Sequence, residues 1–180
     1  ARHSSAKAVK NALATKVGIS RFKHRLFSEN GLHEIQDDEV LDPVPVKIQL
    51  VVLEFWPPDH VETEKMISAS RENDSVALEQ LLQQPRNPDE SNTDGKTPLF
   101  HAAEQGRVQH MELLLEAGAK TDEPEFAQGQ TPLFPAARNG HLDVVQFLAE
   151  VGAGKDQADK NGRTPLWVAA QNGHRSEERR

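Results

Sequence analysis

The chain of 180 residues contains no cysteine. That absence excludes disulfide bonds, thiolate nucleophiles and zinc sites with cysteine ligands. A protein without disulfides suits a reducing compartment, so the sequence predicts an intracellular protein, cytoplasmic or nuclear.

Long hydrophobic runs are also absent. The longest apolar stretch comprises Val51, Val52 and Leu53, followed closely by Phe55 and Trp56. A membrane-spanning helix needs about 20 consecutive apolar residues, so this stretch has only the length of a strand. The sequence therefore predicts a soluble protein with no membrane partner.

Acidic residues are missing from the first 27 positions, which hold seven Lys or Arg. Residues 28–95 hold four bases against sixteen acids, and the net charge of the chain is -7. A basic segment attracts nucleic acid or anionic lipid, but the acidic remainder repels both, so we expect no nucleic-acid partner. Two interpretations of the basic segment stay open: a helix within a domain, or an organelle transit peptide. Because the chain begins with Ala1 rather than Met, we expect its true beginning to be absent.

Constellations that carry catalysis or bind metals are scarce. The eight histidines never pair with acids or with each other at metal-ligand spacing, and Ser68, Ser70 and Ser75 lack a nucleophile motif. The segment 152–155, Gly-Ala-Gly-Lys, departs from a phosphate-binding loop at two positions. The acidic run 37–39 is typical of a solvated turn. The sequence predicts no enzymatic activity, no cofactor and no metal site.

What the sequence does contain is an internal repeat. The repeated segments are Gly-Lys-Thr-Pro-Leu-Phe-His-Ala-Ala-Glu-Gln-Gly at 95–106, Gly-Gln-Thr-Pro-Leu-Phe-Pro-Ala-Ala-Arg-Asn-Gly at 129–140 and Gly-Arg-Thr-Pro-Leu-Trp-Val-Ala-Ala-Gln-Asn-Gly at 162–173. Their threonines, Thr97, Thr131 and Thr164, are 34 and 33 residues apart. Helix-period apolar runs follow the first two segments, so the spacing indicates stacked helical units.

Each repeated residue has a physical reason. The threonine can cap a short helix, and the proline after it takes the first helical position, where a missing N–H costs nothing. The paired alanines let neighbouring helices approach closely. Glycines are expected to end the helices with positive φ: Gly106, Gly140 and Gly173 the first helix of each unit, Gly118 and Gly152 the second.

These segments resemble the ankyrin-repeat family, whose unit of about 33 residues carries a Thr-Pro-Leu-His-x-Ala signature. The resemblance implies a mainly α fold, a solenoid of helix-turn-helix units joined by hairpin loops. The expected units are a degenerate capping repeat at 62–91, repeats at 92–125 and 126–158, and an incomplete repeat at 159–180. The family pattern also implies that His141 and His174, at the turns between helices, bond to neighbouring backbone.

Two departures from the repeat predict local irregularity. Pro135 lies a few residues into a helix, where it is tolerated because the first four N–H groups are unpaired, and we expect a slight distortion there. The third unit lacks the apolar stripe of a second helix, so we expect its surface around Leu166 and Val168 to be exposed.

The amino-terminal third has a different pattern. Residues 6–17 place apolar side chains on one helical face, and an apolar run at 44–55 follows, which is the order of an α+β segment. The pattern is carried by Val9, Lys10, Leu13, Lys16, Gly18, Ile19, Arg25, Leu26, Phe27, Leu32, Asp37, Leu41 and residues 48–53. It resembles the helix and last three strands of a ubiquitin-like fold. We therefore expect a partial ubiquitin-like segment at 1–56, a Pro-rich linker at 57–61 and ankyrin repeats at 62–180.

The ankyrin resemblance implies that a protein partner binds the concave face formed by hairpin tips and first helices. Carried over by position, it names Thr93, Asp94, Lys96, Glu104, Gln128, Gln130, Arg138, Lys160, Asn161, Arg163 and Gln171. Phe100, Phe134 and Trp167 recur at one position of the unit. They form either an aromatic strip that anchors a partner or the packing between repeats.

These expectations converge on a binding function. The leading hypothesis is a non-catalytic adaptor or scaffold, whose ankyrin face binds a client protein and whose ubiquitin-like segment binds a receptor of the ubiquitin pathway. The alternative is the targeting segment of a larger enzyme, such as a kinase or a ubiquitin ligase. A third hypothesis, nucleic-acid binding through the basic start, is disfavoured by the acidic residues that follow.

Overall fold

The computed structural model of the chain describes residues 4–5, 8–12, 24–27, 34–36, 40–41, 49–52 and 58–174. The chain divides into two compact units. One unit comprises Ala1–Pro57 together with Leu82–Arg86, and the other comprises Pro58–Leu81 together with Asn87–Arg180.

The amino-terminal unit contains a helical segment and short strands. Residues 8–12 are helical (α1). Strands β1 (Ser4–Ser5) and β4 (Val40–Leu41) form an antiparallel pair, and strands β2 (His24–Phe27), β3 (Glu34–Ile35) and β5 (Gln49–Val52) form an antiparallel sheet in the order β3-β2-β5. Of the predicted helix at 6–17, residues 8–12 are helical. Of the apolar run at 44–55, residues 49–52 form strand β5. Their other residues lie outside the described part of the chain.

Seven helices follow among residues 58–174. They are α2 (His60–Glu72), α3 (Ser75–Leu82), α4 (Pro98–Glu104), α5 (Val108–Glu116), α6 (Leu133–Asn139), α7 (Leu142–Glu150) and α8 (Pro165–Gln171). The first helices of successive repeats lie side by side, since α2 contacts α4, α4 contacts α6 and α6 contacts α8. The second helix packs on the first within a repeat, as α5 does on α4 and α7 on α6.

Helix α2 begins at His60, two residues before the predicted start of the repeats at 62. The Asp59 side chain accepts a hydrogen bond from the Val61 amide at 2.9 Å and so caps the helix. The last two residues of the predicted linker at 57–61 are therefore helical. Asn73 ends the helix with a φ of 66°, a left-handed conformation that asparagine tolerates better than most residues.

The predicted threonine caps form in two of the three repeats. Thr97 Oγ1 accepts a hydrogen bond from the Phe100 amide, and Thr164 Oγ1 accepts one from the Trp167 amide, both at 3.2 Å. The carbonyl oxygen of each threonine accepts a further bond from the amide four residues on. Each threonine thus accepts hydrogen bonds from two amides at the start of its helix.

The middle repeat lacks this cap, which corrects the prediction for Thr131. The amide four residues on would belong to Pro135, which has no N–H. The Phe134 amide donates instead to the Thr131 carbonyl oxygen at 2.9 Å, and α6 begins only at Leu133. Thr131 Oγ1 is left buried without a hydrogen-bond partner. The distortion expected at Pro135 is confirmed, and the cap is lost with it.

The core of the stack combines alanines with large apolar side chains. Ala102, Ala103 and Ala136 are completely buried, as are Met111 and Leu148. Small side chains on the first helices allow close approach between repeats. The glycines predicted to end the helices all have positive φ, at 71° for Gly106, 74° for Gly140, 79° for Gly173, 96° for Gly118 and 91° for Gly152.

The last described helix, α8, has one exposed and one buried face. Leu166 is 76% exposed, as predicted, whereas Val168 is only 7% exposed and the prediction for it is wrong. Residues two apart on a helix point about 200° apart, so the two side chains lie on opposite faces. Val168 takes the position of His101 and Pro135, which are also buried.

Candidate protein-binding surface

The residues carried over from the ankyrin pattern lie on the hairpin loops before α4, α6 and α8 and on those helices themselves. Eight are exposed, namely Thr93, Asp94, Gln128, Arg138, Lys160, Asn161, Trp167 and Gln171. Lys96, Glu104 and Arg163 are partly exposed, while Phe100, Gln130 and Phe134 are buried. We call the eleven exposed and partly exposed residues the loop-helix face.

Three of the predicted contact residues belong to the core. Phe100 is 2% and Phe134 is 1% exposed, so packing between repeats is the interpretation that holds for them. Gln130 is also buried, and its side-chain amide donates to Gln128 Oε1 at 2.8 Å. Trp167 has the same position in its repeat but is 47% exposed, because no helix follows α8 among the described residues.

An ionic cluster around Glu104 joins two repeats across the loop-helix face. Its carboxylate lies 3.8 Å from Lys96 Nζ and 3.5 Å from a guanidinium nitrogen of Arg138, and His101 Nδ1 lies 3.5 Å from it. The contact with His101 is the largest influence that lowers the pKa of Glu104, and the charges of Lys96 and Arg138 lower it further against the opposing effect of burial. Glu104 is therefore ionised at neutral pH and paired with cations of both repeats.

One polar side chain holds each outer hairpin loop. Asn92 Oδ1 accepts hydrogen bonds from the amides of residues 94 and 96. Asp159 Oδ1 accepts two in the same way, from the amides of Asn161 and Arg163, at 2.9 Å each. Burial by itself raises the pKa of Asp159, but the side chain and amide of Arg163 and the amide of Asn161 hold it at about 2.

The middle loop exposes an aromatic side chain that sequence reasoning missed. Phe126 stands where the other loops have Asn92 and Asp159, and Glu125 accepts the loop amides in its place. Phe126 is 64% exposed, and its ring covers Gly95 so closely that a Cβ there would lie 2.5 Å from ring carbons. The signal was available, because the loop is one residue longer and carries a phenylalanine at an Asn or Asp position.

Paired side-chain clamps join successive repeats. In each clamp, an asparagine donates to a carbonyl oxygen of the preceding repeat, and the histidine two residues on contacts the same oxygen. The pairs are Asn139 and His141 on the Glu104 carbonyl oxygen, at 2.9 and 3.1 Å, and Asn172 and His174 on the Arg138 carbonyl oxygen, at 3.1 and 3.0 Å. The predicted role of both histidines is confirmed.

Trp167 is held in a fixed setting at the end of the loop-helix face. The Arg163 guanidinium lies 5.9 Å from the centre of the Trp167 ring, within the range of a cation–π contact. Arg163 is itself anchored, since it pairs with Asp159 at 2.7 Å and donates to Gln128 Oε1 at 3.0 Å. The exposed ring therefore lies on a preorganised support.

Reactive constellations are not found in the described part of the chain. No group of three or more His, Cys, Asp or Glu residues is placed there to hold a metal ion. Ser70 donates to the Met66 carbonyl oxygen and Ser68 to Glu72, so both serines are occupied within α2. Within the same residues, no helix has the length and apolar character needed to span a membrane.

The family model described as "Ankyrin repeats (3 copies)" matches residues 65–159 and 120–177, which is more than half of the chain. It does not extend to the amino-terminal segment. No curated protein matches the chain at a significant level. Ankyrin repeats generally mediate protein–protein interactions. On the strength of the repeated segments, the stacked helix pairs and this match, the chain belongs to the ankyrin-repeat family.

Proposed function

We propose that this protein is a non-catalytic adaptor or scaffold that binds a client protein through the concave face of its ankyrin repeats. The loop-helix face is the surface that makes the contact. The proposal rests on how the three repeats differ from one another within this chain.

Several positions that vary between repeats are exposed or partly exposed, although the position shared by His101, Pro135 and Val168 varies within the core. The loop position of Asp94 is occupied by Gln128 and Asn161 in the next two repeats, and the helix position of Glu104 is occupied by Arg138 and Gln171. By contrast, the Thr-Pro-Leu and Ala-Ala positions are the same in all three repeats and lie mostly in the core. Such a division supports a common scaffold that presents a specific surface.

The loops of this surface are held by hydrogen bonds within the repeat stack. Asn92, Glu125 and Asp159 hold the amides of their own loops, and Lys160 Nζ donates to two carbonyl oxygens of the preceding loop, those of Phe126 and Ala127. Binding through ordered loops loses little conformational entropy, which favours affinity. These contacts support recognition of a folded client by a preformed face.

Two variants of this chain, one altered on the loop-helix face and one altered away from it, test the proposal. Replacing Arg138→Glu and Lys160→Glu changes two exposed charges of the loop-helix face, while Gln146→Glu and Glu150→Lys change exposed residues of the second helix α7. Captured clients are identified by mass spectrometry and their affinities measured. We expect the face variant to lose about tenfold or more in affinity and the α7 variant to lose little. Equal losses in both variants, with circular dichroism unchanged, would contradict binding on this face.

The amino-terminal segment supplies the second half of the proposed adaptor, a ubiquitin-like module that docks on a receptor of the ubiquitin pathway. This proposal starts from the order of elements, in which the helical residues 8–12 precede the antiparallel strands β2, β3 and β5. The full chain should then bind an isolated ubiquitin-receptor domain, and ubiquitin should compete. Without such binding the protein reduces to an ankyrin scaffold.

The alternative proposal is that this chain is the targeting segment of a larger enzyme, such as a kinase or a ubiquitin ligase. The same loop-helix face would then select the substrate of the attached catalytic domain. The complete transcript distinguishes the two proposals, because only the alternative requires a catalytic domain in the same reading frame.

A further inference from the structure

We propose that Asn161 is a site of spontaneous deamidation, and that its modification changes the charge of the last hairpin loop. Three asparagines in residues 58–174 are followed by glycine: Asn139, Asn161 and Asn172. A following glycine offers no Cβ to obstruct ring closure, so all three pairs share the favourable sequence. The structure separates them.

The reaction is an internal condensation followed by hydrolysis. The deprotonated backbone nitrogen of Gly162 attacks Cγ of Asn161, the bond from Cγ to the side-chain nitrogen breaks, and ammonia leaves. Water then opens the resulting five-membered imide at either carbonyl, which yields aspartate or isoaspartate at position 161. The overall change is amide plus water to carboxylate plus ammonium, with no oxidation or reduction.

The side chain of Asn161 is not held by other groups of the stack. Asn139 Nδ2 and Asn172 Nδ2 each donate to a carbonyl oxygen of the preceding repeat, at 2.9 and 3.1 Å. No hydrogen bond reaches the Asn161 side chain from residues 58–174; its backbone amide donates to Asp159 Oδ1. Rotation of the Asn161 amide toward Gly162 therefore breaks no clamp.

The surroundings of the glycines differ in the same direction. The His174 ring covers Gly140, since a Cβ on Gly140 would lie 2.6 Å from His174 Nδ1, whereas nothing lies within 4 Å of the corresponding position at Gly162 or Gly173. The Gly162 amide donates to the Asp159 carbonyl oxygen at 2.9 Å, so attack requires this loop bond to open. Opening one bond of an exposed loop is easier than unwinding the end of α6 beneath a clamp.

Both differences give an order of rates. Asn161 should react fastest, because its side chain is unclamped and its glycine is uncovered. Asn172 should be slower, because its side chain is clamped although Gly173 is uncovered. Asn139 should be slowest, because its clamp and the His174 ring both protect the pair. A clamp hydrogen bond and the local opening together correspond to about tenfold between the first and the last.

The product would alter the loop-helix face. A new carboxylate at 161 lies between Lys160 and Arg163 in sequence and makes the net charge of -7 more negative by one unit. Isoaspartate also lengthens the backbone of the loop. Asp159 Oδ1 would then no longer be placed to accept hydrogen bonds from the amides of both residue 161 and Arg163. The inference itself does not depend on which protein binds the face.

Peptide mapping of the intact folded chain tests the inference. The protein is incubated at neutral to mildly alkaline pH, digested, and the conversion of each asparagine followed by mass spectrometry, with isoaspartate detected by enzymatic methylation. We expect Asn161 to convert about tenfold faster than Asn139, with Asn172 between them. The three rates should converge in denaturant, and Asn161→Gln should abolish the fast conversion, because closure of the larger ring is slow.

Two outcomes would overturn the inference. Conversion of Asn139 or Asn172 as fast as that of Asn161 in the folded protein would show that the clamps give no protection. A rate order that persists in denaturant would show that neighbouring residues, rather than the fold, set the difference.

Discussion

Asp159 shows how a single side chain sets the shape of a binding loop. One of its carboxylate oxygens accepts hydrogen bonds from two loop amides, and the other pairs with the Arg163 side chain. Asn92 accepts two amides in the equivalent loop without any charge. The loop shape therefore requires a hydrogen-bond acceptor on a side chain of this length. The charge of Asp159 has a separate role, because it pairs with Arg163, whose guanidinium lies against the Trp167 ring.

The charge of Asp159 should make stability dependent on pH in the acid range. The pKa of Asp159 is lowered from 3.8 to about 2 in the folded protein, so its contribution is present above pH 3.8 and is lost as the pH falls toward about 2. Asp159→Asn keeps an acceptor for the loop amides, as Asn92 shows, and removes the charge. We expect the stability advantage of the native protein over this variant to be constant above pH 5 and to shrink below about pH 4.

Denaturant unfolding of both proteins over a pH series checks this expectation. The exposed Asp156→Asn provides a control with the same change of charge. Carboxylates common to both proteins, including Glu104 and Glu125 with their lowered pKa, cancel in the difference. A difference that stays constant throughout the acid range would mean that the Asp159 charge adds nothing to folding.

Among the elements, α6 departs most from the pattern of its neighbours. Pro135 removes one amide, the Phe134 amide turns to the Thr131 carbonyl oxygen, and the Thr131 hydroxyl loses its donor. A buried hydroxyl without a partner is costly, because it gives up water without replacement. The middle repeat thus folds despite a poorer helix start than α4 or α8.

Pro135→Val should restore the helix start of α6. The equivalent position of α8 already holds a valine, Val168. Its side chain is buried, and its amide donates a hydrogen bond to the Thr164 carbonyl oxygen. We expect the variant to be more stable by about 1 kcal/mol, since the gain of a cap and a helical bond exceeds the added freedom of the unfolded chain. Thermal unfolding should show a midpoint higher by about 2–4 °C.

A double-mutant cycle with Thr131→Val isolates the cap. Thr131→Val should cost little in the native background, where its hydroxyl has no partner, and about 1 kcal/mol in the Pro135→Val background. Additive effects would show that the threonine hydroxyl does not regain the Phe134 amide.

At the scale of the whole molecule, each repeat depends on its neighbours. The Asn and His clamps, the burial of Phe100 and Phe134, and the ionic cluster at Glu104 all join one repeat to the next. In a linear stack, stability is the sum of the repeats and of these interfaces. A side chain that the next repeat buries in an inner repeat can therefore be exposed to solvent at the equivalent position of the last described repeat.

Matched leucine truncations should expose this dependence. Leu133 and Leu166 hold the same position in successive repeats, but Leu133 is buried and Leu166 is exposed. We expect Leu133→Ala to lower the free energy of unfolding by about 2–5 kcal/mol and Leu166→Ala by less than about 1 kcal/mol. Denaturant unfolding measures both, and similar losses would imply that Leu166 is covered in solution.

The sequence by itself determined the features that depend on nearby residues along the chain. The repeat period follows from Thr97, Thr131 and Thr164, and the turns at Gly106 and Gly140 follow from a backbone that needs positive φ. The histidine clamps were also predictable, because they recur at a fixed place in each unit. Even the distortion at Pro135 was predictable from a missing N–H.

Only the tertiary structure decided which repeated residues face solvent. Phe134 and Trp167 share a position and a similar chemistry, yet one is core and the other is surface, because burial depends on what packs above the residue. Phe126 emerged on the surface because one extra residue transferred the loop contacts to Glu125. Thr131 lost its cap because Pro135 redirected the Phe134 amide, a hydrogen-bond rearrangement that the Thr-Pro-Leu pattern cannot reveal.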